Sequence, residues 1–259
     1  ILHALTAVFM FQLGTSLFGL IPGVLSGFLQ SVAVPVLDIY RSSVPASFAM
    51  IFIIGAYLVS WRWANGAPKG RLWLAAACIA IAPQIHLLAS IPLMGILPLL
   101  FVGFRRKGFR KETLAALGVF TVILSPLLFG LSSAVWSILS SDDAALISGG
   151  TGFIAKFLGE NWQTTVINNT MAWTHAFESE PDQVWPSDLP WFVCFPGTLA
   201  VFLARILNTR ISAEKWALGW GVMFSTCSAL LLFAALGQKW TSRYGFIFFP
   251  SNILLTLYG

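Results

Sequence analysis

Long stretches without a single charge organise this chain. Ile1 to Leu37 carries none. A membrane helix needs roughly 20 apolar residues at about 1.5 Å each, so this run suits two helices, with the break expected near Gly14-Thr15-Ser16. Val44 to Trp61 predicts a third. Leu72 to Phe104 is again uncharged and suits two short helices, broken around Pro83-Gln84-Ile85-His86, because proline cannot donate in the helix ladder. Leu114 to Ser132 predicts a sixth. Trp191 to Ala204, Trp216 to Leu236 and Tyr244 to Tyr258 predict three more. The pattern is that of an all-α, polytopic helical membrane protein with about nine transmembrane segments. Residues 1–259 read as a single transmembrane domain with one larger extracytoplasmic loop, 133–190. No internal repeat or low-complexity tract interrupts it.

Inside that loop, Phe153, Ile154, Phe157, Leu158, Trp162, Val166 and Ile167 recur at helical spacing among Lys156, Glu160, Asn161, Gln163 and Thr164. This predicts an amphipathic helix, lying on the bilayer surface or packed on the loop's own core. Trp61, Trp63 and Trp73 on one side, and Trp185 and Trp191 on the other, are expected as interfacial anchors. Asn168-Asn169-Thr170 is a formal glycosylation triplet of little weight.

Composition sharpens the reading. Of 259 residues, 57% are hydrophobic and 10% charged, against about 25% charged in an ordinary soluble domain. The mean hydropathy is +0.81. Disorder is excluded, since it needs few apolar residues and many charges. Cys78, Cys194 and Cys227 sit in apolar runs and read as small hydrophobes, not as a disulfide or metal set.

The formal charge of +5 first suggests a nucleic-acid partner. Its distribution argues otherwise. With nine spans, the loops around 62–71, 105–112 and 205–215 share one side. They hold eleven Lys and Arg against Glu112 and Glu214, a net +9. The other side holds Arg41, Lys156, Lys239 and Arg243 against eight acids, a net −4. Basic residues favour the cytoplasmic side of short loops, so the charge is mostly topology and no nucleic-acid partner is expected.

Polar groups at membrane depth are costly and default to functional readings. Three clusters stand out. Gln84 and His86 lie within an apolar stretch. They suit a ligand headgroup in a cavity, or they satisfy backbone groups freed by Pro83. Arg41 follows Tyr40 with Asp38 one turn before. Arg41 can hold a phosphate, snorkel, or pair with Asp38. Gln238-Lys239-Trp240-Thr241-Ser242-Arg243-Tyr244 puts cations on the side where they are least expected, for an anionic ligand or as an anchor belt. His3 and His175 stand alone and read as structural. No phosphate-binding loop, dinucleotide fingerprint or metal-ligand spacing is present.

The order of these motifs resembles the membrane body of the GT-C glycosyltransferases, in particular the family 39-like group of protein mannosyltransferases and lipid-sugar transferases. An apolar pair ends in Tyr40-Arg41. A Gln84-Ile85-His86 lies inside a second apolar pair between basic loops. Lys239-Trp240-Thr241-Ser242-Arg243-Tyr244 closes the chain ahead of Pro250. The resemblance covers most of the chain. It implies transfer of a sugar from a polyprenyl-phosphate donor to a glycan, lipid or protein acceptor at the extracytoplasmic face of a bacterial inner or plasma membrane. It implies no cofactor and no metal. Arg41, Lys239 and Arg243 would hold the donor phosphate, and Tyr40, Gln84, His86 and Tyr244 would line the cavity. The family's catalytic Asp belongs to a loop expected ahead of Ile1, since the chain opens on Ile1 rather than Met and reads as a fragment. Asp38 is the candidate within it.

Two other classes compete. An O-antigen polymerase or ligase carries its key residues in a large outer loop, but 133–190 has no Arg and one His, His175. A transporter predicts ionisable residues inside spans or an inverted repeat, and the sequence has neither.

Overall fold

The computed structural model describes residues 1–32, 45–67, 71–108, 111–140, 203, 207, 212–235 and 253–254. Every element among them is helical. The helices are α1 (Leu2–Phe18), α2 (Leu20–Val32), α3 (Pro45–Ala64), α4 (Leu72–Ile85), a 3-10 turn (Leu87–Ala89), α5 (Ser90–Met94), α6 (Leu97–Lys107), α7 (Lys111–Ser140) and α8 (Ala213–Ala235). The expected surface helix at 153–167 and the spans at 191–204 and 244–258 lie outside the described residues, apart from single positions.

Two of these helices are long and apolar enough to cross a membrane, within Ser47–Ala64 and Lys111–Gly130. A third is reached if the bent segment Leu87–Lys107 counts as one span. The helices α1, α2 and α4 are apolar but shorter. The two long helices differ in place. The α3 window is 72% buried and forms the centre, packed on α1, α4 and α6, whereas the α7 window is 11% buried. Leu114, Leu117, Val122, Leu128 and Phe129 of α7 all stand exposed.

The first hairpin turns at Gly19, not at Gly14-Thr15-Ser16. The reason is steric. Gly19 takes φ 101°, a backbone conformation that costs glycine little. Gly14 instead serves as a contact surface. A Cβ there would strike the Ser26 hydroxyl, and one at Gly23 would strike the Thr15 hydroxyl. The backbones of α1 and α2 therefore approach closely. Ser26 Oγ lies 2.9 Å from the Met10 carbonyl across the interface and 2.8 Å from that of Gly23. At the open end, His3 Nε2–H donates to the Ser31 carbonyl, 2.9 Å away.

The pattern of α2 is inside-out for a protein in water. Gly23, Ser26 and Gln30 are buried, while Leu20, Ile21, Val24, Leu25, Phe28 and Val32 are exposed. Small residues at the interface and large apolar ones outside are how helices associate in an apolar solvent.

The break in the 72–104 stretch falls where the sequence places it. Pro83 is still helical, but α4 ends at Ile85, and His86 is extended at φ −151° and ψ 111°. A second bend follows, with 52° between Leu87–Met94 and Leu97–Lys107. The Tyr57 hydroxyl of α3 donates to the Pro92 carbonyl at 2.5 Å beside this bend. On the other side α8 crosses it, and a Cβ on Gly221 would strike the Gly95 carbonyl. Helix α7 runs on to Ser140 instead of ending at Ser132. Residues 133–139 hold no Gly, Pro or charge to stop it.

One end of the bundle gathers the basic segments. Arg62 donates to Gln12 Oε1 at 3.1 Å, and Lys215 Nζ lies 5.8 Å from the Phe18 ring centroid. The Lys107 ammonium donates to the Trp63 carbonyl, the Leu72 N–H donates to Glu112 at 2.9 Å, and Arg106 pairs with Glu214. These contacts bring together the Gly19 turn, the end of α3, the starts of α4, α7 and α8, and the end of α6. Trp61 and Trp63 are not interfacial anchors here: both are buried. The absence of a Cβ on Gly103 admits the Trp63 ring, which meets Phe104 edge-on at 5.1 Å and carries the Lys107 charge over its face. Trp73 is exposed, as an anchor would be.

A matched pair of glycine substitutions tests this packing. Gly221→Ala places a methyl against the Gly95 carbonyl and should destabilise the fold by about 1–3 kcal/mol, the usual cost of overpacking. Gly118 of α7 faces open space, so Gly118→Ala should be neutral or stabilising by roughly 0.5–1 kcal/mol. Thermal unfolding in detergent reads both, and equal melting temperatures for the two variants would refute the crossing.

Candidate functional site

Of the three candidate clusters, one lies within the described residues. Asp38, Tyr40 and Arg41 fall outside them, as do Lys239, Arg243 and Tyr244. Gln84 and His86 sit at the C-terminal end of α4 and the break that follows.

Pro83 has no N–H, so the helix loses one rung there. Gln84, next in line, is exposed at the edge of α4 and turns its amide to backbone carbonyls. Its Nε2 donates to Ala80 at 3.2 Å and to Ile123 on α7. Ile123 lies beside Pro126, the proline inside α7. Pro126 removes the donor that Val122 would have used, and the Ser125 hydroxyl takes that carbonyl instead, at 2.9 Å. Gln84 is thus engaged where two proline-disturbed helices meet.

His86 is held by its backbone. Its N–H donates to Ala82 at 3.0 Å, and its carbonyl accepts from Ala89 at 2.8 Å. Its ring is half-buried, and Nδ1 is buried without a hydrogen-bond partner. No hydrogen bond joins Gln84 to His86. The amide is spent on α7, so the imidazole is the member of the pair with an unclaimed polar atom. It can donate or accept according to its tautomer, and it stands at the only extended residue between α4 and the 3-10 turn.

Sequence reasoning passed over Gln30. This amide is fully buried in α2, and neither Nε2 nor Oε1 has a hydrogen-bond partner. The signal was present, since Gln30 is an amide inside the uncharged run of Ile1–Leu37. Helical spacing places it with Gly23 and Ser26 on the packed face. Among the described residues no group of three His, Cys, Asp or Glu side chains is arranged to hold a metal ion.

Comparison with protein-family models, with curated proteins and with solved structures finds no match for this chain. The functional reading therefore rests on the residues themselves.

The bond from Gln84 to α7 makes a direct prediction. Gln84→Leu keeps the volume and removes the donor, and should cost about 0.6–1.7 kcal/mol, the range for interhelical hydrogen bonds in membrane proteins. His86→Ala, which breaks no side-chain hydrogen bond, should cost less. Thermal unfolding of both in detergent checks the order, and the reverse order would show that Gln84 does not hold α7.

Proposed function

We propose that this chain is the multi-pass membrane body of a glycosyltransferase. It takes a sugar from a polyprenyl-phosphate donor and passes it to an acceptor at the extracytoplasmic face. The observation that carries the membrane part is the exposed apolar surface of α2 and α7 combined with a small and polar packed face. In water such a surface drives aggregation, whereas in lipid it is the solvent-matched face. The gathering of the basic segments at one end supports a single cytoplasmic side, and with it the nine-span layout.

The catalytic part is supported by the motif order of the sequence, which resembles the GT-C group. In the proposed reaction an acceptor heteroatom attacks the sugar's anomeric carbon. The bond from that carbon to the phosphate oxygen breaks, and the phosphate leaves with the electron pair. The acceptor's proton passes to a base, for which Asp38 is the candidate in this chain. The charge growing on the leaving phosphate needs preorganised cations, a role that suits Arg41, Lys239 and Arg243. The break at His86 suits a cavity wall, because irregular backbone at membrane depth is tolerated where it lines protein or a cavity.

Replacing Arg41 and Arg243 singly by Ala in the full-length protein tests the reading. Transfer of labelled sugar from polyprenyl phosphate should fall by about 100-fold or more in each, with protein levels in the membrane fraction unchanged. Undiminished transfer in both variants would reject it.

A further inference from the structure

We propose that the basic end of the bundle is a binding surface for anionic phospholipid headgroups. The proposal rests on the membrane reading above and goes beyond it, since sidedness alone requires no lipid preference. Both acids described at this end are already committed. Glu112 accepts the Leu72 N–H, and Glu214 is 3% exposed and paired with Arg106. Three cations make no side-chain hydrogen bond or ion pair among the described residues. These are Arg71, Arg105 and Lys111, all exposed.

Their setting decides the kind of ligand. Each terminates an exposed apolar helix face. On α6 the Arg105 guanidinium lies 5.8 Å from the Phe101 ring centroid, and Phe101 is 61% exposed. On α7 Lys111 precedes exposed Leu114 by one turn, and at the start of α4 Arg71 precedes exposed Trp73. A nucleic acid or an acidic peptide would use the charges and leave the apolar faces bare. A phospholipid uses both: its phosphate meets the cation and its acyl chains lie along the face below. The stems of Arg and Lys are apolar, so a charge can sit at headgroup level while its stem stays on the helix face. Charge complementarity then favours anionic over zwitterionic headgroups.

The test begins with alkaline carbonate extraction of membranes carrying the full-length protein. It continues with purification in the presence of equimolar phosphatidylglycerol and phosphatidylcholine, and native mass spectrometry of the retained lipids. The expected result is protein in the membrane pellet and an enrichment of phosphatidylglycerol by at least about fivefold, the effect of one interfacial cation beside an anionic surface. The combined variant Arg71→Gln, Arg105→Gln, Lys111→Gln should lose that enrichment. Arg105→Lys, which keeps the charge, should retain it and controls for any loss of fold in the combined variant. Protein in the carbonate supernatant overturns the membrane reading and the proposal together. Protein in the pellet with equal retention of both lipids, or a folded combined variant with undiminished enrichment, overturns the proposal alone. So does selection of an acidic peptide over both lipids in competition.

Discussion

Close approach of helix backbones at glycine is the constraint on which the rest of this bundle depends. The outward faces of α2 and α7 are as apolar as any core, so burial of apolar area does not by itself tell these helices which way to face. Contact distance does. Dispersion falls away within an ångström of optimal separation, and a crossing without side chains brings the most atoms into range. Two such crossings are present among the described residues, Gly14 and Gly23 between α1 and α2, and Gly95 against Gly221 between the α5–α6 bend and α8. The Tyr57 hydroxyl then fixes the bend by holding the Pro92 carbonyl. Removing a methyl-sized gap matters more here than adding a large apolar side chain.

Polar groups follow the same economy. The ends of the helices are wet and charged, and there the acids are matched: Glu112 to a helix-start N–H, Glu214 to Arg106. Inside, most polar side chains serve backbone carbonyls, as Ser26, Gln84 and Ser125 do. Against that background the unpartnered atoms of Gln30 and His86, like those of Thr15, Ser60 and Trp63, stand out. Buried polar groups that remain unsatisfied cost more than bonded ones gain; Gln30 leaves both amide atoms open, and His86 sets an imidazole at a helix break, so chemistry has a claim on both.

The sequence made the helical class legible because uncharged runs and basic interruptions are one-dimensional signals. It located the break at His86 because proline acts locally. It misplaced the first turn, since Gly14 and Gly19 look alike in a string. Only the partner helix shows that one glycine makes a contact and the other a turn. Trp61 and Trp63 failed as anchors for a similar reason: a tryptophan beside a basic loop suits an interface, but the missing Cβ on Gly103, forty residues later in sequence, draws the Trp63 ring inward. The role of Gln84 was half visible. Pro83 announced freed backbone groups nearby, but the carbonyl that Gln84 reaches across to belongs to α7, near Pro126, and no local spacing connects the two.

The single-residue turn at Gly19 has a consequence for how the chain would enter a bilayer on the reading proposed above. Helices of 17 and 13 residues are about 25 and 20 Å long, each short of a hydrocarbon core of about 30 Å. Their junction is closed at its centre by backbone bonds. The Gly19 N–H bonds to the Thr15 carbonyl at 3.0 Å, and its own carbonyl accepts from Gly23 at 3.1 Å. With no polar loop between them, α1 and α2 form one paired unit, and on the membrane reading proposed above they would enter lipid together, their tip staying with the basic end.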